Sequence, residues 1–223
     1  MKLTKILFLS SSLFLFTSSV FALSLDWQFY GNSTNSNINV GISETYQDTT
    51  SVYSLTAYGY NAGNAANILE NNRGNNEQGL GIEGNGYPEI NKNEVLMIDL
   101  GLGYLNMSNF KINFNSVDGS ETALMFAGST AGASAYNFSL ETPVLTTVAA
   151  GSNQWLSFTA NSRYLFIMED YAAGGGGSYA HDVLVKGLQA DYAPVPEPGT
   201  LLLLGCGLAG LVFLRKKRPH SVA

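Results

Sequence analysis

Residues 109–115 read NFKINFN and residues 93–100 read NEVLMIDL. The two stretches have different periods, and together they decide the fold. In the first, an apolar residue returns at every second position (Phe110, Ile112, Phe114), so one face of an extended strand is apolar and the other carries Lys111 and Asn113. In the second, Val95, Leu96, Met97 and Ile98 follow one another without a break, the pattern of a fully buried strand. SVYSLTAYGY (51–60), ETALMFAG (121–128), QWLSFTA (154–160), RYLFIME (163–169) and HDVLVKGLQA (181–190) continue the strand-like series, divided by Gly, Asn and Ser clusters. AANILEN (65–71) is the one candidate helix, and it is short. Many short strands without alternating helices predict an all-β fold: an antiparallel two-sheet sandwich of jelly-roll type. Phe110, Ile112, Phe114, Val95, Met97, Leu165 and Ile167 are its expected core residues.

The composition agrees. Of 223 residues only 13% are charged, against about a quarter in an ordinary globular chain. The polar surface must therefore be built from amides and hydroxyls. Six of the 11 basic residues (Lys2, Lys5, Arg215, Lys216, Lys217, Arg218) lie at the chain ends, whereas Glu197 alone of the 17 acidic residues lies in the C-terminal tail. The body between is strongly acidic and repels phosphate backbones, which excludes nucleic acid as a partner. Its single cysteine, Cys206, falls in the apolar tail, so neither a disulfide framework nor a cysteine zinc site is available.

Both ends carry targeting patterns. MKLTK followed by ILFLSSSLFLF and TSSVFA has the basic, apolar and small-residue parts of a signal peptide over residues 1–22, which signal peptidase would cleave after Ala22. Residues 23–193 then form the ectodomain and residues 194–223 the tail. Thr200 to Leu214 carries no charge and is barely long enough to span a bilayer as a helix. Arg215, Lys216, Lys217 and Arg218 follow at once and hold that end in the cytoplasm by the positive-inside rule. Before the apolar run, Pro196, Glu197 and Pro198 keep the backbone extended.

This tripartite tail resembles the PEP-CTERM sorting signal of bacterial exported proteins. The resemblance implies recognition by an exosortase, a membrane-embedded transpeptidase that removes the tail, with transient membrane anchoring through the C-terminal helix beforehand. It also implies a cell-surface or extracellular destination, in bacteria that make exopolysaccharide and live in biofilm. The body resembles those of the same proteins over Gly79-Leu80-Gly81, Ile90-Asn91 and Glu94 ahead of VLMIDL, and again at RYLFIMED and HDVLVKGLQA. That likeness suggests a carbohydrate-binding-like sandwich and names no activity.

Glu83, Glu89, Asn91 and Glu94 gather hard oxygen ligands of the kind Ca²⁺ takes. The alternative reading is a solvated acidic loop in which Glu94 opens a strand. No other cofactor is suggested. GLGIEG (79–84) matches the glycine fingerprint of dinucleotide sites in its letters but lacks the preceding strand and following helix. His181-Asp182 with Ser178 reads as a surface loop feeding a strand rather than a triad, and the adjacent Glu169-Asp170 make no acid pair, because neighbours in a strand point to opposite faces. Trp155 and the tyrosines suit either sugar stacking or a core. The expectation is an exported, exosortase-processed surface or matrix protein whose body is a non-catalytic binding or structural module associated with exopolysaccharide. A secreted polysaccharide hydrolase on the same scaffold is the alternative.

Overall fold

A computed structural model describes residues 22–30, 36–72, 77–84, 89–91, 93–115, 122–132, 145–148, 153–169, 183–193 and 205–210. Residues 1–21 of the signal peptide, the sorting-signal residues Pro196, Glu197, Pro198, Arg215, Lys216, Lys217 and Arg218, and Asp170, Ser178, His181 and Asp182 lie outside these. The chain divides into two units, Leu23–Tyr192 and the terminal segments Met1–Ala22 with Ala193–Ala223. In the terminal unit residues 205–210 are helical and exposed, Cys206 among them. No helix among the described residues is long and apolar enough to cross a membrane.

The other unit is all-β. Its strands are β1 (Leu23–Gln28), β2 (Ser36–Gly41), β3 (Ser43–Gln47), β4 (Ser54–Asn61), β5 (Asn64–Ala66), β6 (Ile68–Asn72) and β7 (Gln78–Ile82). They continue with β8 (Glu94–Asp99), β9 (Met107–Asn115), β10 (Thr122–Gly128), β11 (Leu145–Val148), β12 (Gln154–Phe158), β13 (Tyr164–Glu169) and β14 (Leu184–Tyr192). A short 3₁₀ helix, Leu102–Asn106, links β8 to β9.

Among the described residues these strands make two seven-stranded antiparallel sheets. The first runs β12-β9-β14-β7-β6-β2, with β1 also on β14; the second runs β11-β10-β13-β8-β4-β3, with β5 on β4. AANILEN is not helical: it supplies β5 and β6, because Ile68 packs in the core while pairing across to β7 and β2 outweighs a weak helical propensity.

One core lies between the sheets. Leu25, Trp27, Ile68, Leu80, Phe110, Ile112, Phe114 and Leu188 from the first meet Leu55, Leu96, Ile98, Met125, Leu165 and Ile167 from the second. All seven expected core residues are buried. Val95 and Met97, however, point away from this core. They join Phe126 and Phe166 in a second buried cluster on the outer side of the second sheet, flanked by Tyr58, Tyr60, Leu124, Tyr164 and Met168. The unbroken run in β8 is thus buried on both faces, while alternating β9 has one apolar face.

Two carboxylates, Asp48 buried and Asp99 partly exposed, fix connections. Asp48 accepts from the backbone amide of Tyr53 (2.6 Å) and from the amide (2.8 Å) and hydroxyl of Thr50, closing the β3–β4 turn. Burial pushes this carboxyl up, but the hydrogen bonds from Thr50, Tyr53 and Val52 outweigh it, and the net shift is downward. Asp99 takes both Arg163 Nε (2.6 Å) and Nη2 (2.7 Å), a bidentate pair at the other end of β8 from Glu94.

Candidate functional site

The acidic loop is built from amide donors. Glu94 is fully buried; its Oε1 accepts from Asn61 Nδ2 (3.2 Å) and its Oε2 from the Asn91 amide (2.8 Å). The Glu94 amide returns to the Asn91 carbonyl (2.9 Å), and Asn91 Nδ2 donates to the Glu89 carbonyl (3.1 Å). Gly84 passes so close that a Cβ there would fall 1.6 Å from Glu94 Oε1, so only glycine fits. Glu83 faces elsewhere and accepts from Asn39 Nδ2 (2.9 Å) and Asn67 Nδ2 (2.6 Å). Among the described residues no group of three or more His, Cys, Asp or Glu side chains converges as a metal site. Glu94 instead clamps the end of β4, the β7–β8 connection and the start of β8 together. GLGIEG, for its part, begins inside strand β7.

A different surface gathers polar side chains. Directly opposed residues of an antiparallel pair share a face. On the outer face of the first sheet this places Trp155, Asn113, Gly187 and Gln28 in one row across β12, β9, β14 and β1. Ser157, Lys111, Gln189 and Asp26 form the next row. Asp191 and Ser24 continue it, and Asn109, held at φ 51° in a β-bulge, donates to Asp191 Oδ2 at 2.7 Å. A cleft of about 670 Å³ opens here, lined by Ser24, Asn109, Lys111, Ser157, Gln189 and Asp191 and backed by Met107, Phe110 and Phe158.

Trp155 sits beside the cleft, 39% exposed. A Cβ on Gly187, two strands away, would lie 3.2 Å from its Cη2. The indole therefore reaches across Asn113, which is buried and whose Oδ1 has no partner among the described residues. The ring lies along the sheet and the missing side chain of Gly187 makes its seat. At the margin, Lys186 Nζ is 5.5 Å from the centre of the Tyr30 ring and donates to Asn153 Oδ1; burial holds its amine below the usual range. The face offers an aromatic plane beside amides, hydroxyls and few charges, which can stack on and hydrogen-bond to a neutral polar ligand. QWLSFTA contains Trp155, but nothing local to it signals Gly187.

The body is therefore an all-β domain with one hydrophilic, aromatic-bearing outer face. The tail supplies what the body does not. Residues 194–218 match the family model of the PEP-CTERM protein-sorting motif, which spans Pro196, Glu197, Pro198, the apolar run and Arg215, Lys216, Lys217 and Arg218. The motif marks an exported protein sorted by an exosortase to the surface or the extracellular space. No curated protein and no solved structure matches the chain.

Proposed function

We propose that the exported body is a non-catalytic module, on a jelly-roll-like scaffold, that binds exopolysaccharide. On this reading residues 200–214 anchor it in the membrane only until the exosortase acts. The observation that carries the reading is the indole of Trp155 seated over Gly187 beside a polar cleft. Sugars present flat C–H faces ringed by hydroxyls. An exposed aromatic plane on the same face as Asn109, Gln189, Ser157 and Ser24 matches that chemistry without needing charge.

One observation favours a hydrolase. Asp26 opposes Gln189 and Asp191 opposes Ser24, so the two aspartates are diagonal neighbours on one face. Diagonal positions stand about 7–8 Å apart, within the range over which paired carboxylates cleave glycosides. Against it, Asp191 is the carboxylate in the cleft lining and Asn109 already engages it.

The test is retention of the protein on polysaccharide extracted from its host, with released reducing ends measured in the same tubes. Wild type should be retained without releasing reducing ends, and Trp155→Ala should pass through while melting at nearly the same temperature. Equal retention of the variant would remove the proposed site. Reducing ends that appear with wild type and vanish with Asp191→Asn would make the protein a hydrolase.

A further inference from the structure

The sandwich begins and ends at one pole. Leu23 pairs with Tyr192, so the first and last residues of the β unit are cross-strand neighbours. The same pole carries the β3–β4 turn and the 3₁₀ helix. The ring of Tyr53 lies 5.7 Å from that of Tyr192, and its hydroxyl donates to the Leu100 carbonyl at 2.9 Å. Three large apolar side chains project there: Val52, Leu102 and Leu105, exposed by 59%, 76% and 74%.

Single exposed leucines are ordinary on a protein surface. These two are arranged. In a 3₁₀ helix residues three apart eclipse, so Leu102 and Leu105 form one ridge. Gly103 between them fixes its direction, since a Cβ there would fall 2.1 Å from the Tyr53 hydroxyl. The helix is pressed onto Tyr53, and the leucines face away. Around the ridge Asp99 is paired with Arg163, and Asp48 is turned into its own loop by hydrogen bonds from Thr50 and Tyr53. The pole is apolar at its tip.

The covalent chain says what lies opposite it. After Tyr192 come Ala193–Gly199, seven residues of which three are proline, and then the uncharged Thr200–Leu214 run. Fully extended, seven residues reach no more than about 25 Å. A nine-residue strand such as β14 is itself about 30 Å long. The tether is shorter than that strand, so while the tail is in the membrane this pole stays within reach of the lipid.

We propose that Val52, Leu102 and Leu105 dock on the bilayer surface, seated at the headgroup boundary, and so hold the body upright until the tail is removed. The inference rests on the anchor reading of residues 200–214 given above. The probe is the full chain reconstituted in phosphatidylcholine vesicles, plain or carrying brominated acyl chains, with Leu105→Trp as a depth reporter. The two native tryptophans supply the background, measured with wild type.

The expected result is that the variant floats with vesicles and that brominated lipid quenches the added emission, with quenching reduced when Leu102→Ser is combined with it. Flotation with the added emission unchanged by bromine overturns the docking and leaves the anchor intact. A blue-shifted, bromine-insensitive emission with a cross-linked dimer means that a second copy covers the ridge, which also overturns it. Failure to float with vesicles overturns the anchor reading and the docking together.

Discussion

The two sheets share a core and differ in what they show on their outer sides. Across the first, the central rows read Trp155, Asn113, Gly187, Gln28 and then Ser157, Lys111, Gln189, Asp26. Across the second, the matching row reads Phe126, Phe166, Met97, Tyr58. The first face is hydrophilic and open. The second is a satellite core in which Phe126, Phe166 and Met97 are buried, and the Gly132 amide reaches Met97 Sδ at 3.2 Å. A sheet with one apolar face leaves its other side free for contact. A sheet apolar on both faces has spent both on stability, since each buried large side chain contributes about 1.5–3 kcal/mol. The proposed recognition surface lies on the first sheet for that reason.

Three substitutions test that contrast. The largest effect belongs to the second face: Phe166→Ala should destabilise by about 3–5 kcal/mol in a urea titration, as loss of a buried aromatic does. A cost below about 1 kcal/mol would mean that the outer cluster is loosely covered, and the contrast would weaken. Gly187→Ala comes next. Its Cβ would lie 2.8 Å from the Trp27 carbonyl oxygen and 3.2 Å from Trp155, so overpacking should cost about 1–3 kcal/mol. It should also shift the Trp155 emission; an unchanged spectrum would show that the indole does not rest there. The smallest effect is expected for Lys111→Ala on the open face, within about 0.5 kcal/mol. A larger loss would mark Lys111 as part of the packing.

The contrast itself was legible in two strings. NFKINFN alternates and gave a strand with one apolar side; VLMI does not alternate and gave one buried on both. Glu94 was legible only as an acidic position. Its ligands Asn61 and Asn91 and the bare backbone of Gly84 come from three separate parts of the chain, and a carboxylate there reads equally well as an ion ligand until those amides are in place. AANILEN misled because a short segment carries little periodicity, and pairing on both sides then decided its form.

The sequence by itself determined that the body is made of strands, that NFKINFN is buried on one side and VLMI on both, and that a PEP-CTERM sorting motif occupies residues 194–218. These are local properties: periodicity reports burial, and a sorting signal is read as a linear peptide. Only the tertiary structure decided that Trp155 lies over Gly187 and that Leu102 and Leu105 stand at the pole where the chain leaves. Both depend on register between distant strands. A shift between Val185 and Gly187 in the pairing of β14 with β9 sets Gly187 opposite Asn113. Without that one-residue bulge every later side chain of β14 would turn to the other face, and the indole would have no seat.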